Sequence, residues 1–163
     1  MIIIQGSLKS NNVSSFLDDL SSISDKYQCI IQSLDARYVA GTSHLSLAAK
    51  YSKRAFDRGE TIAKDPAIEF ILYASGRRQI NRAMEMCIGP ETTEIVIITY
   101  GEKEKEASDS LRELIIPTDV INPIQNMDVI RTFFNITMAE LEVTSNDIES
   151  LVLERVSLLN LSK

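Results

Sequence analysis

Short apolar runs and helical apolar stripes alternate along this chain, and together they predict its secondary structure. The segments MIIIQG, YQCIIQSLD and TEIVIITYG are short and apolar enough to form strands. The segment NVSSFLDDLSSIS predicts an amphipathic helix whose apolar face consists of Val13, Phe16, Leu17 and Leu20. Strands separated by a block of helices, with more helices toward the C-terminus, predict an α/β (α+β) fold in which several helices cover a small mixed sheet.

The middle of the chain predicts one long helix followed by a shorter one. The long helix spans about residues 43–64. Its apolar stripe, rich in small residues that allow close packing, is Leu45, Ala48, Ser52, Ala55, Phe56, Gly59 and Ala63. Asp65 and Pro66 then supply an N-cap and a first-turn proline for the segment AIEFILYAS. Gly76 is expected to end this second helix as its C-cap.

A third helix is predicted to begin at Arg77 and Arg78. Its apolar residues, at helical spacing, are Ile80, Ala83, Met84 and Cys87. Cations at a helix N-terminus oppose the macrodipole by roughly 0.3–1 kcal/mol each, whereas the free N–H groups there favour a phosphate. Two explanations stay open: Arg77 pairs with Asp65 or Glu69, or the arginines bind an anion.

The remaining sequence predicts a charged helix and then a helical tail. The segment EKEKEASDSLRELI is expected to form a charged helix whose inward residues are Leu111, Leu114 and Ile115. After Pro117 and Pro123 we expect two short helical stretches. The segment SNDIESLVLERVSLLNL predicts a final helix capped by Thr144 or Ser145. Its core stripe is Ile148, Leu151, Val152, Val156 and Leu159.

Length and composition favour one cytoplasmic domain. The 163 residues suffice for a single domain over 1–163, and no apolar run approaches the eighteen residues of a membrane span. The apolar start is too short for a signal peptide. Cys29 and Cys87 lie far apart in apolar segments, which favours reduced core thiols over a disulfide framework.

The charge of the chain is unevenly distributed. Residues 37–82 carry nine basic and four acidic side chains, a net charge of +5, so the rest carries −11 of the total of −6. On the long helix, five cations fall within an arc of about 140° at 100° per residue: Lys50, Lys53, Arg54, Arg58 and Lys64. Such an arc is often only a solvated face, but together with Arg77, Arg78 and Arg82 it could form one anion-binding surface.

Catalytic patterns are missing from the sequence. The single histidine, His44, is expected to cap or pack at a helix start, and the chain contains no CxxC, HExxH, Walker A or GxGxxG pattern. Cys87 lies on an apolar stripe beside no evident base. The sequence therefore predicts a protein that is not an enzyme and has neither metal nor cofactor.

A family resemblance appears in the same central block. The segment HLSLAAKYSKRAFDRGETIAKDPAIEFILYASGRRQINRAM resembles the small kinase-binding subunit of the KEOPS (EKC) complex, whose eukaryotic members are called PRPK-binding proteins. The resemblance is strongest in KRAFDRG, IAKDPAIEFIL and ASGRRQI, about a quarter of the chain, and the flanking strands fit in order and spacing.

The resemblance implies a non-catalytic subunit of an assembly that helps make threonylcarbamoyladenosine beside the anticodon of tRNA. Such subunits bind the KEOPS kinase/ATPase subunit directly, contact the other KEOPS subunits indirectly, and are implicated in holding tRNA by its single-stranded 3′ end. The basic residues above are then RNA-binding candidates. Leu153 and Leu161, which lie off the core stripe of the final helix, are candidates for kinase binding, although scattered exposed leucines are common.

Two rival functions stay open. A small-molecule enzyme could bind an anionic substrate at the helix start of Arg77 and Arg78, which would require a deep pocket there. A structural adaptor would bind its partner without touching RNA. Single-stranded RNA is commonly held by aromatic stacking, and the nearest candidates, Tyr51 and Tyr73, also fit the core.

Overall fold

The computed structural model describes residues 1–162, and the predicted domain extends one residue beyond them, to Lys163. Helices dominate and one sheet is present, so the α+β class is confirmed. The chain divides into two compact units. Unit 1 comprises residues 1–36 and 87–121, and unit 2 comprises residues 37–86 together with the chain from 122 onward.

Unit 1 is built on a four-stranded sheet. The strands are β1 (Ile2–Leu8), β2 (Ile30–Asp35), β3 (Glu94–Tyr100) and β4 (Ile115–Pro117), in the order β2-β3-β1-β4. Each of the three pairings is antiparallel, so the sheet is not mixed as predicted. The reason is that β3 pairs between β1 and β2 and runs against both.

Two helices cover one face of this sheet: α1 (Val13–Tyr27) and α5 (Glu104–Arg112). They contribute Phe16, Leu20 and Leu111 to a core that also contains buried isoleucines of the strands. Leu17 is 44% exposed and is not part of that face, because the buried stripe of α1 is narrower than predicted.

The charged helix α5 ends earlier than predicted. It stops at Arg112, and Ile115 begins strand β4, which pairs with Gly6–Leu8. This strand was not predicted, since three residues carry too little pattern. A Cβ at Gly6 would overlap the carbonyl oxygen of Ile116, so the glycine allows the two strands to approach.

Unit 2 is helical. Its helices are α2 (Thr42–Arg58), α3 (Pro66–Ser75), α4 (Ile80–Ala83), α6 (Met127–Phe133), α7 (Met138–Val143) and α8 (Ile148–Leu161). The stripe Leu45, Ala48, Ser52 and Ala55 of α2 is buried, and α2 packs on α3 and α8. Phe56 is exposed rather than part of this stripe.

The long helix ends six residues before its predicted end at Lys64. Gly59 adopts a left-handed conformation with φ of 69°, and its N–H donates to the carbonyls of Ala55 and Phe56. This glycine C-cap stops α2 at Arg58. The following loop is then held by the buried carboxylate of Glu69, which accepts from the backbone N–H groups of Ile62 and Ala63.

The caps of α3 are as predicted, but Arg77 and Arg78 do not begin a helix. Asp65 caps the N-terminus of α3, and Gly76, with φ of 63°, caps its C-terminus. The N–H of Arg77 is bound to the carbonyl of Leu72 and so belongs to the end of α3. Helix α4 begins only at Ile80 and is four residues long.

The tail forms the two predicted short helices, α6 and α7, and then α8. The predicted core stripe of α8 is buried throughout. The N-cap of α8 is Asp147, whose side chain accepts from the N–H of Ser150, and not Thr144 or Ser145. Thr144 instead ends α7, and Ser145 is left-handed with φ of 55°, so neither can begin a helix here.

Candidate functional site

Four cations of α2 form what we call the outer basic face: Lys50, Lys53, Arg54 and Arg58. Lys53 reaches Asp57 at 3.0 Å, but the two side chains are 73% and 63% exposed, so the pair contributes little. The guanidinium of Arg54 lies 4.8 Å from the ring centre of Tyr51. Within residues 1–162 no ion-pair partner is present for Lys50 or Arg58. This face can accept an external anion.

The outer basic face borders a pocket of about 480 Å³. Arg54 and Arg58 line it from α2, Glu60 and Thr61 from the loop after α2, and Asn160 from α8, so two cations face one carboxylate. Guanidinium, hydroxyl and amide groups are common phosphate ligands in proteins. Of the two stacking residues considered from the sequence, only Tyr73 lines this pocket, and Tyr73 is fully buried. Tyr51 packs on Tyr73 with the two ring centres 5.9 Å apart.

The other predicted RNA-binding residues do not share one environment. Lys64 is exposed, but it lies in the loop after α2 rather than on the helix. Arg82 is 60% exposed and binds Glu85 at 2.8 Å. The structure therefore brings Lys50, Lys53, Arg54 and Arg58 together on one helix and gives Arg82 an acidic partner.

Arg77 and Arg78 are bound to main-chain oxygens at helix C-termini. Arg77 donates to the carbonyl of Phe133, the last residue of α6, and its guanidinium stacks 4.5 Å from the Phe133 ring. Arg78 donates to the carbonyl of Ser162, the C-cap of α8. Cations are favourable at that end of a helix. Neither predicted partner of Arg77 is needed to explain its position.

Arg155 also donates to main-chain oxygens at the end of α6, and the sequence did not predict these contacts. Its guanidinium donates to the carbonyls of Phe134 and Asn135 and to the carboxylate of Glu140 at 2.6 Å. The backbone N–H of Thr137 and then Arg155 lower the pKa of Glu140 to about 2. The feature of the sequence that could have indicated this role is one arginine inside the apolar segment LVLERVSLL. We call Arg77, Arg78 and Arg155 the inner arginines.

The histidine and the cysteines, which might suggest catalysis, lie in buried or partly buried surroundings. The buried Nδ1 of His44 accepts from the N–H of Ala40, so its Nε2 donates to the carbonyl of Ala74 at 2.6 Å. Burial lowers the pKa of His44 to about 4. Burial also raises the pKa of Cys87 to about 11, and both cysteines are free thiols. Among residues 1–162, no three His, Cys, Asp or Glu side chains gather as a possible metal site.

The C-terminal end of α8 presents apolar side chains to solvent. Leu161 is 77% exposed, as its position off the core stripe predicted. Leu153, the other candidate, is only half-buried. Leu158 lies one turn before Leu161 and is 49% exposed, but the sequence analysis did not single it out. The exposed pair of α8 is therefore Leu158 and Leu161.

A comparison with known protein families identifies the chain. Residues 9–160 match the family described as kinase binding protein CGI-121. The chain belongs to this family. Membership confirms the resemblance stated from the sequence and makes this a kinase-binding protein by family. Among curated proteins, no sequence matches the chain significantly.

The described helices leave two surfaces open to a partner. None of the helices described within residues 1–162 has both the length and the hydropathy needed to cross a membrane. The exposed leucines of α8 and the outer basic face of α2 are surfaces on which a partner can bind.

Proposed function

We propose that this protein is a non-catalytic accessory subunit of a KEOPS complex in the cytoplasm, where it binds the kinase/ATPase subunit and helps recruit tRNA. The tRNA is held by its 3′ end while the partner subunits make threonylcarbamoyladenosine. Membership of a kinase-binding family supports the first part. The chemistry belongs to the partners, because His44 is buried in hydrogen bonds and Cys87 is a protonated thiol.

The outer basic face is the observation that supports RNA binding most directly. Lys50, Lys53, Arg54 and Arg58 project from one rigid helix beside a pocket lined by Thr61 and Asn160. Phosphates are bound by such clusters of cations and small polar groups. In a protein with a net charge of −6, this local surface concentrates the positive field. Lys64 and Arg82, which lie outside α2, are proposed as further contacts to the same RNA.

We assign Arg77 and Arg78 a structural role in place of the phosphate contacts suggested by the sequence. Each already donates to a helix carbonyl, so a phosphate would have to share or replace that contact. The Phe133 carbonyl bound by Arg77 is part-buried, and leaving it without a donor costs about 1–3 kcal/mol. RNA phosphates therefore bind the outer basic face in preference to these two arginines.

For the kinase partner we propose the exposed end of α8. Leu158 and Leu161 are one turn apart and both face solvent, which suits a small apolar contact with another protein. Leu153, the original candidate with Leu161, contributes at most the edge of this contact because it is half-buried.

The rival functions are less well supported. An enzyme binding an anionic substrate would find a cleft of about 680 Å³ beside Arg77, but it would not find the free N–H of a helix start there, since the N–H of Arg77 belongs to the end of α3. A structural adaptor without RNA contact gives no role to the clustered cations of α2. The two experiments below separate these possibilities.

The first experiment measures association with the purified KEOPS kinase subunit of the same organism. The variant Leu158→Ser/Leu161→Ser is expected to weaken the complex at least tenfold while its thermal midpoint stays nearly unchanged. Leu17→Ser is the matched control, because Leu17 is 44% exposed and lies in unit 1. If the α8 variant associates as tightly as the control, the kinase surface lies elsewhere.

The second experiment measures tRNA binding with intact tRNA and with tRNA lacking its 3′ tail. The full-length protein is expected to prefer intact tRNA, and Arg54→Gln/Arg58→Gln is expected to weaken binding to it. Equal, salt-insensitive binding of the two RNAs would contradict the proposal.

A further inference from the structure

A cleft of about 680 Å³ opens in unit 2 beside one of the inner arginines. Tyr38 lines it from the end of a 3-10 turn, Arg77 from the loop after α3, and Phe133 from the end of α6. Its rim carries polar groups of Asp128 and Asn135. The cleft is separate from the pocket beside the outer basic face, since the two share no lining residue.

The floor of this cleft is a cluster of planar groups from three distant segments. Tyr38 and Phe133 have their ring centres 4.9 Å apart with the ring planes tilted by 53°, and the Arg77 guanidinium lies 4.5 Å from the centre of the Phe133 ring. Arg37 lies 6.0 Å from the centre of the Tyr38 ring but does not line the cleft. Phe133 is 6% exposed, so Tyr38 and Arg77, which are half-buried, supply the accessible planes.

The charges in the cleft favour a planar neutral group over a phosphate. Two cations line it, but Arg77 donates to the Phe133 carbonyl and Arg82 to Glu85. Two carboxylates, those of Glu85 and Asp128, also line it and repel an anion. Carboxylates and side-chain amides do accept hydrogen bonds from the exocyclic amino groups of nucleobases.

From this geometry we infer that the cleft binds one unpaired nucleobase of an RNA strand, stacked on Tyr38 and the fixed guanidinium of Arg77. Unpaired bases are recognised in this way by aromatic rings and arginine planes. The inference rests on the proposed RNA role and deepens it. The outer basic face binds phosphates, and this cleft binds a base. Arg77 contributes its plane while its edge stays bound to the Phe133 carbonyl.

The test uses the full-length protein and a short single-stranded RNA with 2-aminopurine at its 3′ end. A second RNA of the same length has an abasic 3′ position and the same phosphates. The wild-type protein should quench the 2-aminopurine fluorescence and bind this RNA about fivefold more tightly than the abasic one, the lower end of what a stacked base contributes.

Variants at Tyr38 separate stacking from charge. Tyr38→Leu should abolish both the quenching and the preference for the base, whereas Tyr38→Phe should retain them because the ring remains. Tyr27→Leu, which removes a tyrosine ring in unit 1, is the control and should behave as wild type. If Tyr38→Leu fails to fold, Arg77→Lys serves instead, because lysine keeps a charge and a donor but lacks the plane.

Three outcomes would overturn the inference, and they are distinguishable. If Tyr38→Leu keeps the quenching and the preference while Arg58→Glu weakens binding of both RNAs, the cleft inference fails and the proposed RNA role stands. If wild-type protein binds neither RNA, the proposed RNA role fails as well. If Tyr38→Leu weakens only the association with the kinase, the cleft receives a protein side chain and not a base.

Discussion

The outer basic face and the inner arginines differ in what binds their side chains, although both sets lie in unit 2. Arg58 projects from the last turn of α2 into solvent. Arg77 and Arg78 each donate to a carbonyl at the C-terminus of another helix. An arginine side chain is thus open to an external anion in one place and is bound to the helix ends of its own fold in the other. Hydrogen bonding to main-chain carbonyls, rather than charge, separates the two roles.

This difference has an energetic consequence. Removing Arg77 or Arg155 leaves a part-buried helix carbonyl without a donor, so we expect a loss of folding stability of roughly 1–3 kcal/mol for each such carbonyl. The carbonyl bound by Arg78 is exposed, so the loss there is smaller. Removing an exposed cation of α2 changes stability by less than about 1 kcal/mol, but it removes a proposed phosphate contact. The predictions below test this division, beginning with the largest expected effect.

The largest effect should come from His44, which is bound inside the same unit by Ala40 and Ala74. Its pKa is lowered from 6.5 to about 4, so the unfolded chain takes up a proton before the folded one does. The stability it contributes is complete above pH 6.5 and is lost as the pH falls toward 4. The loss is about 3 kcal/mol.

Chemical denaturation at intervals of half a pH unit measures this loss. His44→Gln retains an N–H donor for Ala74 but does not titrate, and His44 is the only histidine of the chain. The difference between the two curves should therefore appear between pH 6.5 and 4. Parallel curves over this range would show that His44 is not held neutral.

Arg155→Met should give the next largest loss, about 1–3 kcal/mol, because it removes the donor from the part-buried carbonyl of Phe134. The same change also removes the donor from the exposed carbonyl of Asn135 and from Glu140. Arg112→Met is the matched control in unit 1, where the arginine is 48% exposed and lies 3.8 Å from Asp109. Urea denaturation of both variants measures the difference. An equal loss in the two would contradict the role of Arg155.

Arg77→Glu should destabilise the protein by about 1–2 kcal/mol, since it places a carboxylate near the negative end of α6. A helix start at Arg77 would instead gain roughly 0.3–1 kcal/mol from the same change. The sign of the shift in thermal midpoint distinguishes the two. If Arg77→Glu is more stable than wild type, the result would support a helix start at Arg77, as the sequence suggested.

The smallest effect on stability should come from Arg58→Gln. The side chain is exposed at the C-terminus of α2, so the variant loses only about 0.3–1 kcal/mol of dipole interaction. Differential scanning calorimetry should place its midpoint within a few degrees of wild type. A fall comparable to that of Arg155→Met would show that Arg58 is also bound inside the fold.

Local caps made some of these features predictable from the sequence. Asp65, Pro66 and Gly76 fix the ends of α3 through contacts within the helix itself, and they were read correctly. The end of α2 was missed because the apolar spacing continues to Ala63, although Gly59 already adopts a left-handed turn.

The candidate site was predictable in one part only. The outer basic face follows from helical spacing within seventeen residues, and its four α2 members lie on one helix as predicted. The roles of Arg77 and Arg155 depend on carbonyls that are 56 and 21 residues away in the chain. The pairing of Tyr38 with Phe133 joins segments that are still further apart in the chain. Spacing along one helix carries no information about such contacts.

The most direct test of the central claim is the salt dependence of tRNA binding for Arg58→Gln and Arg78→Gln. A phosphate contact to single-stranded RNA adds about 0.7 to the slope of log affinity against log salt. We predict that Arg58→Gln lowers the slope by about this amount, and that Arg78→Gln leaves it unchanged because Arg78 is bound to the Ser162 carbonyl. A reduced slope for Arg78→Gln with an unchanged slope for Arg58→Gln would contradict the division between the outer basic face and the inner arginines.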